Sequence, residues 1–357
     1  MTGLRTPNGQ TLGVERNFSP WAYWRRRQDE TPRTGRPTDA DPSTWLAGVR
    51  SALDSMVGMW PEPVDLRTES GPVVDEPYGR RTRVVFDTER HMSVPAWLLE
   101  PADRAAGAPA VLAVHGHGLD KDSVCGVTES PDGIVPYARR LAEAGFVVLA
   151  PDLRGFGERA DRMLPVEPAE ELAEQILRHQ GDCGWELVCA LVAGTTPLTL
   201  NLWDLRRSVD VLCSTTAGAG RSVAVVGWSY GALLAMLLTA LDDRVAGAVL
   251  SGCFSSWRAA HRSPWNLCGR QVWSGLLGPV EHEDVAALIA PRPLLVESGL
   301  DDLLFPADDA VAAVDALRRT YALLGADPED VEHHVFVGGH EWCGDGVVEF
   351  LTERITG

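Results

Sequence analysis

What this sequence has least of is lysine: of 32 basic residues only Lys121 is one, the rest being arginine. We read that bias as the coding habit of a GC-rich genome rather than as a functional signal. No C-x-x-C pair is present. The seven cysteines, Cys125, Cys183, Cys189, Cys213, Cys253, Cys268 and Cys343, are odd in number and scattered, which argues against a disulfide framework or a zinc motif and for reduced thiols in a cytoplasmic protein. No stretch of about 18 uncharged apolar residues occurs, so no membrane span is expected. The first ten residues hold no apolar run after their one arginine, so no secretory signal is expected either. Positive charge is also short overall. The net charge of -18 argues against nucleic acid or an anionic membrane as partner, because both are polyanions. Internal repeats and low-complexity tracts are missing too. What remains is a chain of 357 residues, 45% hydrophobic, long enough for one large α/β domain with insertions or for two domains.

The most informative stretch runs from Ser222 to Leu241. Val223 to Val226 has the length and β-branching of a buried parallel strand, and Gly231 to Leu241 is a continuous helix-forming run. Between them Gly227-Trp228-Ser229-Tyr230-Gly231 fits G-x-S-x-G. On a strand-to-helix turn that pattern puts the serine in a strained backbone conformation. The flanking glycines are then needed so that strand and helix can approach.

Around this stretch the chain alternates strand and helix. Strands are expected at 83–87 and 94–99, then at 110–114, 146–150, 245–250, 294–297 and 333–337. Helices are expected at 44–57, capped by Ser43 or Thr44, at 134–144, 167–179, 202–212, 307–324 and 346–355. The pattern predicts a mostly parallel, doubly wound sheet covered on both faces. Two excursions, at about 158–200 and 254–283, follow strand ends, where open α/β sheets bind ligands. They are expected to form a lid and pocket walls, with plain surface packing as the alternative. Residues 1–81 read as an N-terminal extension with an aromatic knot at Phe18 to Trp24, and residues 82–357 as the main domain. The knot is expected to dock on its own domain, with a homodimer contact or a wall of the active-site mouth as alternatives.

A serine needs a base to take its proton, and the base needs an acid to hold its tautomer. Gly299-Leu300-Asp301-Asp302 follows one late strand and Gly338-Gly339-His340 follows the last, so acid and base come after the serine in the required order. Asp302 is preferred over Asp301 because it holds the fourth position of G-x-x-D and precedes Leu303-Leu304-Phe305-Pro306. His333 and His334 lie within the strand pattern and read as structural. An oxyanion would need backbone donors, expected from the N–H groups of Tyr230 and His117. Metal ligation by His115 and His117, by His179 with Cys183, or by His282-Glu283-Asp284 is weighed and set aside, solvated helix faces explaining the latter two, so no metal is expected.

With these residues in hand the chain resembles the α/β-hydrolase superfamily, over roughly residues 82–357. Within it, His115-Gly116-His117-Gly118, the run Ala150 to Glu158, Asn201-Leu202-Trp203-Asp204 and Gly338-Gly339-His340-Glu341 look like the branch of acetylxylan esterases and dienelactone-hydrolase-like proteins. The helix ending Met56 to Pro61 looks like that branch's N-terminal extension. The resemblance implies an α/β-hydrolase fold and ester hydrolysis through an acyl-enzyme, without a cofactor, on a small-molecule ester. Dienelactone hydrolases proper use cysteine where Ser229 stands, so their substrate is not carried over. Asp152 and Arg154 are expected to form a structural ion pair beneath the site. Trp228, Tyr230, Trp257, Trp265, Trp273 and Trp342 are the expected pocket walls. Two other functions remain open: carbon–carbon bond hydrolysis of a diketone, and ligand binding without catalysis.

Overall fold

The computed structural model describes residues 19–33, 41–130, 133–160, 183–215, 218–262, 266 and 268–355. In chain order the elements are α1 (Pro20–Glu30), α2 (Pro42–Val57), β1 (Glu69–Glu76), β2 (Gly79–Glu89), β3 (Met92–Pro101), β4 (Ala110–Val114), α3 (Lys121–Val124), α4 (Tyr137–Glu143), β5 (Val147–Pro151), α5 (Cys183–Val192), α6 (Pro197–Ser214), β6 (Val223–Trp228), α7 (Tyr230–Leu241), β7 (Val245–Ser251), α8 (Trp257–Arg262), α9 (His282–Ala287), β8 (Leu294–Gly299), α10 (Ala307–Leu323), β9 (Val331–Phe336) and α11 (Val347–Glu353).

The strands form one nine-stranded sheet in the order β1-β2-β3-β5-β4-β6-β7-β8-β9. The first three pair antiparallel with one another, and β3 pairs antiparallel with β5; every later pairing is parallel. Because side chains alternate across a strand, β4 sends Ala110, Leu112 and Val114 into one core and Val111 and Ala113 into the other. Strand β6 divides in the same way, Val225 to one face and Ala224 and Val226 to the other. Helices α2, α6, α7, α9 and α10 supply the first core, and α4 and α11 the second. Helix α7 is buried from Tyr230 to Ala240, which explains why it is apolar all round. After β4 the chain moves outward to β5, then returns past β4 to β6. That reversal opens a crevice at the carboxyl ends of β4 and β6, where ligands bind in open α/β sheets.

Several elements differ in detail from the sequence expectation. Helix α2 starts at Pro42 with Asp41 as its cap, the Asp41 side chain accepting from the Thr44 N–H; proline at the first helical position displaces the expected Ser43 or Thr44. Helix α4 starts only at Tyr137, behind Pro136. Strand β1 was not anticipated: it is an edge strand with a mostly exposed pattern and no hydrophobic alternation to reveal it. The helix expected at 167–179 lies outside the described residues. Phe18 of the aromatic knot lies outside the described residues; Trp21, Tyr23 and Trp24 fall in α1 and remain 47%, 46% and 58% exposed. Helix α1 lies against α8; Arg33 pairs with Glu283 and Asp284, and Arg258 donates to the Thr31 carbonyl.

Among the described residues no single helix is long and apolar enough to cross a membrane.

Candidate active site

Ser229 sits between β6 and α7 with φ 54° and ψ −120°. Among the described residues only Arg67 shares its positive φ without being glycine. Such a conformation costs about 1–3 kcal/mol and persists where packing over-determines it. Here the packing is visible: a Cβ on Gly227 would lie 2.2 Å from the Gly231 carbonyl oxygen, and one on Gly231 would lie 2.1 Å from that of Val114. The glycines therefore let α7 press against β6 and β4.

The other two groups arrive on neighbouring strands. A Cβ on Gly299 would come within 2.2 Å of the Gly339 carbonyl oxygen, so the turns after β8 and β9 lie against each other. The N–H of Asp301 donates to the Gly338 carbonyl at 2.8 Å. Asp302 is buried; its Oδ1 accepts from the N–H groups of Leu304 and Phe305 at 2.8 and 3.0 Å, leaving Oδ2 against His340 Nδ1 at 2.8 Å. His340 Nε2 lies 2.8 Å from Ser229 Oγ. The imidazole is sandwiched between Trp228, 4.9 Å away, and Phe305, 5.7 Å away. Asp301 is exposed and its side chain takes no part. Of the two aspartates, the structure brings Asp302 to the histidine.

The turn after β4 is fixed by His115. Fully buried, it has Nδ1 2.8 Å from the Gly116 carbonyl while Nε2 accepts from the Leu153 N–H at 3.0 Å. Burial pushes its pKa down, so it stays neutral, with both nitrogens occupied and neither free for a metal. A Cβ on Gly116 would collide with the Trp228 ring at 2.4 Å, so the turn lies close to Ser229. The backbone N–H groups of His117 and Tyr230 donate to no other group among the described residues, and the second opens α7, where the helix dipole favours negative charge.

Trp228 and Trp342 line a cavity of about 360 Å³ beside His340, with Ile134, Val135 and Glu341. Tyr230 is buried beneath the site, its hydroxyl donating to the Arg270 carbonyl and accepting from Asn201. Trp257 and Trp273 are core residues: the first packs edge-on against His282 at 4.1 Å, and the second donates from Nε1 to Thr199 Oγ1 at 2.9 Å. Burial of these rings in the body, rather than in the wall beside His340, follows from their place in the large core cluster. Trp265 lies outside the described residues.

Two further expectations change. Asp152 and Arg154 do not pair with each other. Asp152 binds the lone lysine, with Lys121 Nζ at 3.0 Å from Asp152 and 2.8 Å from Glu158. Arg154 pairs with Asp204 and Glu89. Burial alone would raise the Asp204 carboxyl, but the charges of Arg159 and Arg154 overcome it and hold it at about 2. His282, Glu283 and Asp284 are buried rather than a solvated face; burial drives His282 down to about 3, and the two carboxylates hold Arg33. Outside those expectations, Cys183 and Cys268 gather around the His117 side chain. Sequence spacing could not reveal this, since three distant segments supply the groups.

A model of the alpha/beta hydrolase fold matches residues 109–270. YtaP of Bacillus subtilis (strain 168), a hydrolase by name, is 25% identical over 285 residues, 78% of this chain and 88% of that protein. Among solved structures, a glucuronoyl esterase from Solibacter usitatus superposes with TM-score 0.66 at 15% identity, over 91% of this chain and 96% of its own. An acetyl xylan esterase from Paenibacillus sp. R4 does so with TM-score 0.59 at 20% identity, over 92% and 98%. With the sheet order, the strained serine after β6 and these likenesses together, the chain is an α/β-hydrolase in fold.

Proposed function

We propose that this protein is a serine hydrolase of carboxylic esters, on the strength of one observation above all: the unbroken hydrogen-bonded series Ser229 Oγ, His340 Nε2, His340 Nδ1, Asp302 Oδ2, at 2.8 Å in each hydrogen bond. Asp302 holds the proton on Nδ1, leaving Nε2 as the base. His340 takes the Ser229 proton as Oγ attacks the ester carbonyl. The tetrahedral oxyanion is received by the N–H groups of Tyr230 and His117. His340 then gives its proton to the departing alkoxide, leaving an acyl-Ser229 ester. Water, deprotonated by the same imidazole, attacks that ester; the acid departs and Ser229 regains its proton.

The cavity beside His340, with two tryptophans and Glu341 in its lining, suits a small group with one flat apolar face and polar edges. Sugar esters have that character, and similar structures carry the names of acetyl xylan and glucuronoyl esterases. A panel of 4-nitrophenyl acetate, an acetylated xylo-oligosaccharide, a methyl glucuronate and a β-diketone tests the reading. Hydrolysis of at least one ester is expected, with a loss of about 10³-fold or more in Ser229→Ala and His340→Ala. Turnover of the diketone alone, or ester turnover that survives both substitutions, would refute it.

A further inference from the structure

On the far side of the oxyanion turn, three donor atoms from three distant segments converge. His117 Nε2, Cys183 Sγ at the start of α5, and Cys268 Sγ ahead of the short turn Gly269–Gln271 all lie within 4.8 Å of one another. Nε2 and the Cys183 sulfur are 3.2 Å apart. We propose that His117, Cys183 and Cys268 form a binding site for a thiophilic divalent cation, Zn²⁺ foremost, with a fourth position open to water.

Donor type, spacing and surroundings all point the same way. Two thiolates and one imidazole are ligands that Zn²⁺ takes readily. Bonds of about 2.3 Å to sulfur and about 2.0 Å to nitrogen in tetrahedral geometry place donors about 3.5–3.8 Å apart, inside the observed spacing. Both sulfurs already accept N–H groups from one residue: the Arg270 backbone donates to Cys268 at 3.4 Å and its guanidinium to Cys183 at 3.1 Å. Those contacts suit metal-bound thiolates, whose orientation is set by such outer partners. The charge of Arg270 is itself matched by Glu186, so two thiolates would leave a local charge of −2 that a divalent cation neutralises. The His117 ring is held by the edge of Phe156, 5.1 Å away. A disulfide between the two cysteines would use neither the imidazole nor the two N–H donors, since its sulfurs are weak acceptors. The proposal does not depend on the esterase reading; a bound ion would also tie α5 to the turn that carries the His117 N–H.

The test uses the full chain, reduced and stripped with a chelator, then titrated with Co²⁺. We expect the intense visible bands of four-coordinate cobalt with a near-ultraviolet thiolate band, lost on adding Zn²⁺, and one Zn²⁺ per chain in equilibrium dialysis. Cys183→Ser and Cys268→Ser should each weaken binding tenfold or more, whereas Cys189→Ser, an exposed cysteine on α5, should leave it unchanged. Should either variant fold poorly, the wild type answers alone: Zn²⁺ must protect Cys183 and Cys268, and no other cysteine, from alkylation mapped by peptide mass. Absence of a thiolate band, binding that survives both serine substitutions, alkylation indifferent to Zn²⁺, or a chain that instead closes a Cys183–Cys268 disulfide would each overturn the proposal.

Discussion

Replacing Asp302 by asparagine isolates the acid's role from its structural one. In the native chain Oδ1 accepts two backbone N–H groups and Oδ2 faces His340 Nδ1. Asparagine can keep the first pair through its own Oδ1, so the turn after β8 should survive and stability should change by no more than about 1 kcal/mol. Its amide nitrogen then faces Nδ1 as a donor. The imidazole must accept there, which moves its proton to Nε2, the atom 2.8 Å from Ser229 Oγ. A protonated Nε2 cannot take the serine proton. The loss in kcat should be about 10⁴-fold near neutral pH, or about 5.5 kcal/mol of transition-state stabilisation. Asp301→Asn, one residue away with an exposed side chain, should fall within twofold of wild type. Steady-state hydrolysis of 4-nitrophenyl acetate, with melting curves as the folding control, reads both variants. A folded Asp302→Asn chain with near-native kcat, or a loss confined to Asp301→Asn, would refute the assignment.

Other perturbations read the scaffold that holds this site. Lys121→Met leaves the buried Asp152 without its cation, so it should destabilise the protein by about 3–5 kcal/mol in urea unfolding; an unchanged midpoint would contradict the role given to the lone lysine. Gly231→Ala drives a Cβ to 2.1 Å from the Val114 carbonyl oxygen, a backbone clash that should cost about 3 kcal/mol or more and reduce activity in whatever folds; an active variant of native stability would mean the elbow has slack. Asp204, held at about 2 against its ordinary 3.8, contributes about 2 kcal/mol above the ordinary value, lost as pH falls through the lower one. The stability gap between wild type and Asp204→Asn should therefore narrow between about pH 4 and pH 2, and a gap that widens on acidification would contradict the pairing with Arg154 and Arg159.

The features legible in the sequence share one property: they are local. The apolar strand from Val223, the two glycines around Ser229 and the placement of Asp302 and His340 just past strand ends are set within a few residues, and β6, β8 and β9 deliver them as read. Helix α10 ends one residue from its expected limit because its apolar period is long and uninterrupted. What escaped the reading depends on distant partners. An edge strand such as β1 buries little and leaves no pattern. The coding bias toward arginine says nothing of why Lys121 stands where it does; its ammonium group lies between Asp152 and Glu158. Trp257 and Trp273 stood in an irregular stretch that suggested a pocket wall, yet both rings pack into the core, because a loop's tryptophan has no periodicity to say which way it faces. Cys183 and Cys268, 85 residues apart in number, meet at His117 only once α5 has folded over the turn after β4.

The most direct test of the central claim is covalent capture of the nucleophile. Full-length protein treated with a fluorophosphonate should gain one adduct by intact mass, and peptide mapping should place it on Ser229. The adduct should be absent in Ser229→Ala and form far more slowly in His340→Ala, since the proposed mechanism takes the imidazole 2.8 Å from Oγ as the base. Stoichiometric labelling of Ser229 that depends on His340 is the predicted result; no labelling of the folded wild type, or an adduct on another residue, would contradict the account.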